Sequence, residues 1–300
     1  FEGVRMSRRV WIVGLLLAVG MGALVRAADA PTEATVTDAE NKEVKVTGLK
    51  FGTGTHRLAW LADPAGTTED AKKGPLALEL REPHSTSLAK GVLTYVPVGS
   101  VESIKYDYEK LVAAVAVKGA PEPLAGTLQY KGINVLAFSG TADAKDTKFG
   151  GGTPGKGNIK AVAFPGARPV APKKGANPWQ VQIDQPKAMD PTLKVSNCKF
   201  LYQYVGGAEV LSDTAAVRKG DPLKLDDALK QLTVVAVDQN TRVAVVEALI
   251  GDTEKLLVIP LDAEKDGKRG ALVGLVSEVD VGWKFFPLHT IKTMKRPKKD

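Results

Sequence analysis

With 300 residues, 25% charged and 44% hydrophobic, the chain is globular rather than disordered or fibrous, and its net charge of +7 is too small to argue for a nucleic-acid partner. A single cysteine, Cys198, excludes internal disulfides. The three histidines, His56, His84 and His289, stand far apart with no metal-ligand spacing.

Phe1–Arg5 reads as an extension ahead of an initiator, Met6. Ser7, Arg8 and Arg9 then form a positive segment, Val10–Val25 is an apolar run of 16 residues, and Val25-Arg26-Ala27 offers small or apolar residues at −3 and −1. That order is the signature of a secretory signal peptide spanning Met6–Ala27, with cleavage after Ala27, and the run is short for a membrane anchor. The expected product is periplasmic or secreted, with no transmembrane segment after cleavage. Removing 1–27 leaves 273 residues, with 37 basic against 33 acidic side chains. That length has room for two ordinary domains.

Downstream, short apolar segments alternate with Gly, Pro, Asn and Asp, and helical periodicity is nearly absent. Val44–Val46 and Leu76–Leu80 alternate at period two, as half-buried strands do. Further strands are expected at Leu111–Val117, Leu124–Tyr130, Ile133–Phe138, Trp179–Ile183, Leu193–Tyr204, Leu232–Val237, Val243–Ile250, Leu256–Leu261, Leu272–Val276 and Val281–Phe286. Asp38–Lys42 reads as a hairpin turn. The best helix candidate is Asp226–Leu232, with Asp226 as N-cap.

The stretch YVPVGSVESIKY (Tyr95–Tyr106) reads as a strand end, a proline-braced corner and a second strand entered through a half-turn at Ser100–Ser103. FFPLHTIKTMKR (Phe285–Arg296) repeats it at an offset of 190, Pro287 matching Pro97 and Met294 matching Ile104, and NIKAVAF (Asn158–Phe164) is a shorter echo. KVTGLKF (Lys45–Phe51) and KVSNCKF (Lys194–Phe200) form another pair, in which Cys198 takes the seat of Leu49 and so reads as a small core hydrophobe. Between the pairs lies FPGARPVAPKKGANPW (Phe164–Trp179), whose four prolines keep the chain extended. The expected fold is all-β, with two tandem β-sandwich or small-barrel domains, and the paired segments raise a diverged duplication as one reading. The expected divisions are an N-terminal extension and signal peptide (1–27), β-domain 1 (31–164), a linker (165–178), β-domain 2 (179–296) and a basic tail (297–300).

Candidate chemistry is sparse. GGGTPGKG (Gly150–Gly157) resembles a phosphate-binding P-loop, but Gly157 stands where Ser or Thr is needed and a strand pattern follows instead of a helix. Asp262, Glu264, Asp266 and Gly267 imitate a calcium loop, but Val273 fills the position of the closing carboxylate, so a polar turn is the better reading. His84-Ser85-Thr86 beside Glu82 lacks any nucleophile elbow. Phe200, Tyr202 and Tyr204 share one strand face, either core or a carbohydrate-stacking strip. Lys292, Lys295, Arg296, Lys298 and Lys299 form a basic terminal cluster, read as solvated. No catalytic, cofactor-binding or metal residue is designated, and no cofactor is expected.

The apolar spacing around the proline corner resembles the closing strands of SH3-like and Sm-like barrels. LAGTLQYKGINVLAFSG (Leu124–Gly140), with its approach to the corner, resembles uncharacterised exported β-rich proteins of planctomycete-type bacteria, a likeness that implies no activity. The expected function is that of an exported, non-enzymatic structural or interaction protein of the cell envelope, with an envelope glycan or protein as partner. The alternative is a carbohydrate-binding or carbohydrate-active protein using the aromatic strand face.

Overall fold

The structure, a computed structural model, describes residues 31–62, 74–81, 91–130, 133–134, 136–150, 159–169, 178–183, 192–265 and 267–297. The expected signal segment Met6–Ala27, His84 with its neighbours, and residues 170–177 of the expected linker lie outside them. Among the described residues no helix is long and apolar enough to cross a membrane.

The period-two pattern builds strands nearly throughout. β1 (Glu33–Asp38) and β2 (Glu43–Phe51) form the expected hairpin, at whose turn the Lys42 amide donates to Asp38 Oδ1 (2.8 Å). β3 (Thr55–Arg57) and a single helical turn, α1 (Ala59–Ala62), precede β4 (Leu76–Arg81) and β5 (Leu93–Pro97). A 3-10 turn at Val98–Ser100 then opens β6 (Val101–Asp107), β7 (Val112–Val117) and β8 (Leu124–Gly126). The short pair β9 (Gln129–Tyr130) and β10 (Ile133–Asn134) leads to β11 (Ala137–Ala142), β12 (Lys145–Gly150) and β13 (Ile159–Ala163).

The second half opens with β14 (Trp179–Ile183) and the long β15 (Thr192–Tyr204), followed by β16 (Glu209–Ser212), β17 (Thr214–Ala215) and β18 (Leu223–Lys224). β19 (Leu229–Asp238), β20 (Val243–Ile250) and β21 (Thr253–Pro260) form a meander. β22 (Asp262–Lys265), β23 (Lys268–Val279) and β24 (Gly282–Pro287) follow, then a second 3-10 turn at Leu288–Thr290 and β25 (Ile291–Lys295).

Two sheets dominate, and they are copies of one plan. The first runs β12-β11-β2-β1-β13-β6-β7-β8, and the second contains β24-β23-β15-β14-β25-β19-β20-β21. The correspondence extends to register. Thr35 faces Lys45 as Gln180 faces Lys194, and Phe51 faces Phe138 as Phe200 faces Leu275. Val36 faces Val162 as Val181 faces Met294, and each of these ladders slips two positions on, Asp38 meeting Ile159 and Ile183 meeting Ile291. Gly48 (φ 60°) and Asn197 (φ 49°) hold the same left-handed kink in the paired KVxxxKF strands, a conformation that glycine and asparagine tolerate best. Inner faces match as well, since Val36, Val46, Ile104, Val162, Val181, Val195, Leu232 and Met294 are all buried. A duplication explains all of these features together. Neither sheet closes on itself among the described strands, so the architecture is one of packed open sheets rather than the small-barrel alternative.

The duplication does not align the proline corners. β25 corresponds to β13, the short NIKAVAF echo, whereas the Tyr95–Tyr106 corner sits in the long excursion between β2 and β11. The two corners nevertheless share local geometry, with Pro97 (φ −53°, ψ 125°) and Pro287 (φ −53°, ψ 139°) each preceding a 3-10 turn. They also face each other. β5 and β24 pair antiparallel, with Tyr95 opposite Trp283, Thr94 opposite Lys284 and Leu93 opposite Phe285. Because the corners lie 190 apart in sequence, exchanging them maps this ladder onto itself about the Thr94–Lys284 pair.

This seam carries β3, β4 and β5 into the second sheet, so hydrogen bonding crosses the division expected at 165–178. β5 is buried along all five residues. Val96 joins Leu78 and Leu80 in the first core, while Leu93 and Tyr95 join Leu58, Trp60, Leu201, Val276 and Trp283 in a separate seam core. A strand covered on both faces reads as an unbroken apolar run. At the start of the expected linker, the Arg168 amide donates to the Gly99 carbonyl (3.0 Å), so Pro165–Pro169 lies against the first corner.

Two local expectations are corrected. Asp226–Leu232 is not a helix: Asp226 Oδ1 accepts from the Ala228 amide (3.1 Å) in a turn, and β19 begins at Leu229. Leu229 and Leu232 both point inward because the ladder slips between Leu229 and Gln231, and that bulge imitates helical spacing. The half-turn expected at Ser100–Ser103 lies earlier, at Val98–Ser100, and a bulge between Val101 and Ser103 turns both Val101 and Ile104 to the core.

Candidate functional site

The aromatic strip is part of the interior. Phe200, Tyr202 and Tyr204 are only 1%, 8% and 9% exposed, and the Tyr202 hydroxyl donates to the Thr214 carbonyl (3.3 Å), so this face offers no stacking surface. Tyr106 and Tyr108 pack edge to face at 4.6 Å, and the Tyr108 hydroxyl accepts from the Ile159 amide (3.1 Å). Cys198 is buried, and burial pushes its thiol up to about 12.

The other motifs also resolve into structure. Gly150 ends β12, with residues 151–157 of the glycine-rich loop outside the described residues, and β13 rather than a helix follows. Asp262 and Glu264 belong to the β22–β23 hairpin, where Asp262 pairs with Arg242 (3.0 Å) and Gly267 turns at φ 71°. Asp266 is outside the described residues. Among the described residues no three His, Cys, Asp or Glu side chains gather as metal ligands would. Arg296 leaves the solvated cluster to which the sequence reading assigned it. Its guanidinium lies 4.3 Å from the Trp179 ring centre and donates to the Leu229 (3.0 Å) and Asp226 (2.7 Å) carbonyls. Lys292 and Lys295 are exposed, and Lys298 and Lys299 lie outside the described residues.

Among the described residues, two polar arrangements stand out that the sequence did not announce. The first caps the seam core. His56 on β3 meets Glu209 on β16, Nε2 to Oε2 at 3.0 Å, with the imidazole 5.4 Å from the Tyr95 ring and 5.8 Å from Trp60. The Glu209 hydrogen bond raises the His56 pKa above its ordinary value, against the opposing effect of burial. Burial, aided by the Glu79 and Glu209 charges, pushes the Tyr95 phenol up as well. This imidazole–carboxylate pair over aromatic rings is a clasp between the two halves of the chain, and it joins residues 153 positions apart.

The second is an open groove of about 500 Å³ on the outer face of the first sheet, lined by Lys105, Tyr106, Asp107, Lys110, Val112, Ala114, Lys160 and Ala161. β6, β7 and β13 lie side by side here, with Lys105 facing Ala114 on one neighbour and Ala161 on the other. Two alanine side chains flanking a lysine leave a trough, because neither reaches past a methyl group. Asp107 anchors the β6–β7 turn, accepting from the Glu109 and Lys110 amides at 3.0 Å each, and its carboxyl is held below the usual carboxylate range chiefly by the Lys110 amide. Its other oxygen takes the Lys110 ammonium at 3.2 Å. Lys160 Nζ donates to Asn41 Oδ1 (2.8 Å). The sequence contains the local half of this site, Lys105-Tyr106-Asp107 with Lys110, but Lys160 arrives only through the β13 pairing.

Compared with known protein families, curated proteins and solved structures, the chain matches none.

Proposed function

We propose that the chain is an exported, non-enzymatic interaction protein of the cell envelope, and that the groove over β6, β7 and β13 is its contact surface. The observation that carries this reading is the groove itself, an open trough whose charged groups are three lysines and a single carboxylate. Side chains of that kind bind by charge and shape. The inner faces of the two repeats are held alike by packing, and the outer faces are free to diverge toward separate contacts. On this reading the buried aromatic residues serve stability, and the partner is met outside the core.

Two measurements test it. Mass spectrometry of protein recovered from the periplasm or medium of an expressing bacterium should give a chain starting at Ala28; full-length protein retained in the cytoplasm would refute export. The purified chain should co-sediment with isolated envelope fragments, and Lys105→Glu/Lys160→Glu should abolish this. Equal co-sedimentation by the variant would remove the groove from the proposal.

A further inference from the structure

We infer that the groove binds a linear acidic polysaccharide, with Lys105 and Lys160 holding its carboxylate groups; this rests on the interaction reading above and names the partner class for the same site. Of the three lysines, Lys110 is neutralised by Asp107 (3.2 Å). Lys160 reaches only the neutral amide of Asn41 (2.8 Å), and Lys105 has no acidic partner among the described residues. Two uncompensated positive charges therefore face an open trough.

The duplication supplies an internal comparison. The ladder registers place Thr233 in the second repeat where Lys105 stands in the first, Thr293 where Ala161 stands, and Glu247 where Ala114 stands. Thr233 and Thr293 hydrogen bond to each other at 3.4 Å, beside the exposed Glu247 carboxylate. At these three positions one repeat thus carries a threonine pair beside a carboxylate, and the other a lysine between two alanines. The cations are lysines, which act as compact point charges and suit separate carboxylates along a chain. Arginine would offer the planar fork that favours bidentate phosphate recognition. The trough spans three adjacent strands, about 10 Å across at the usual strand separation, and is open to solvent.

Binding of the full chain to polygalacturonate, dextran sulfate, neutral dextran and phosphatidylglycerol vesicles would test this at low and high salt. Saturable binding to polygalacturonate is expected, with none to dextran, and it should weaken as salt rises. Lys105→Glu/Lys160→Glu should raise Kd at least tenfold, while Lys292→Glu/Lys295→Glu, which changes net charge equally elsewhere, should change it less than twofold. Both pairs are exposed, so both variants should melt with the parent chain. Binding to dextran sulfate alone would move the ligand from a carboxylated to a sulfated polymer and overturn the carboxylate assignment. Equal losses in the two variants, binding to vesicles alone, or no binding to any probe would overturn the proposal. Envelope co-sedimentation that persists while polygalacturonate fails would overturn this ligand and leave the interaction reading standing.

Discussion

Arg296→Ala is the most informative single change to the fold. The side chain is 17% exposed and bridges three elements, with its guanidinium over Trp179 of β14 and two donated bonds to the turn that opens β19, while its own backbone extends β25. The two carbonyl bonds are charge-assisted, but water can reach them once the side chain is gone, so each is worth about 1 kcal/mol rather than the full value for a buried charged bond. The cation–π contact adds roughly 1 kcal/mol. Asp227, 3.5 Å away and 88% exposed, adds little. The sum is about 3 kcal/mol, which lowers the melting temperature by roughly 6–12 °C in a chain of this size. Arg296→Lys keeps the charge and loses the fork, so it should cost about half as much. Urea titration followed by tryptophan fluorescence measures both variants. An alanine variant within about 0.5 kcal/mol of the parent would mean that Arg296 is the solvated tail residue the sequence suggested, and the anchoring argument would fail.

Other outcomes follow from single sites. His56 holds its proton more tightly folded than unfolded, so the clasp contributes fully below its ordinary value of 6.5 and fades as pH rises through the raised folded value. The melting-temperature gap between the parent and His56→Gln should therefore be widest at mildly acidic pH and narrow toward alkaline pH, and a gap that widens would contradict the pairing. Cys198 should resist a thiol reagent at pH 8 until denaturant is added, because burial holds it protonated; prompt labelling of the native chain would place it at the surface. Gly282 has φ +151°, and an added Cβ would strike the Tyr95 carbonyl oxygen, so Gly282→Ala should cost about 3 kcal/mol or more and loosen the seam. Tyr106→Phe removes a buried hydroxyl that has no partner and should leave the free protein as stable or up to about 1 kcal/mol more stable; a loss above that size would show that the hydroxyl is already bonded.

Much of the fold was legible because alternation at period two survives in nearly every strand. Trp179–Ile183 and Val243–Ile250 fall on the observed bounds. Errors arose where a bulge changed the spacing. Leu229 to Leu232 looked helical because one slipped residue turns two inward positions into a three-residue step. The duplication was visible in KVxxxKF but misaligned by the proline corners, whose likeness is local: Pro followed by a small 3-10 turn gives one conformation wherever it occurs. The true counterpart of β25 was the weaker NIKAVAF echo, identified by its ladder register. Sites suffered more than strands. Neither the His56–Glu209 clasp nor the groove can be read along the chain, because His56 and Glu209, like Lys105 and Lys160, become neighbours only through pairings of distant strands.

The β5–β24 ladder sets the order in which the molecule can be completed. Tyr95 waits for Trp283, 188 residues later, so a chain still being synthesised holds the β4–β5 hairpin with one long edge unpaired until nearly all of it has emerged. Contacts of such sequence separation form late and slowly, and an apolar, unpaired edge invites neighbouring chains to add to it. Any product ending before Gly282 keeps that edge open permanently. Fragments cut between the repeats should therefore aggregate or re-associate with each other rather than persist as two independent halves.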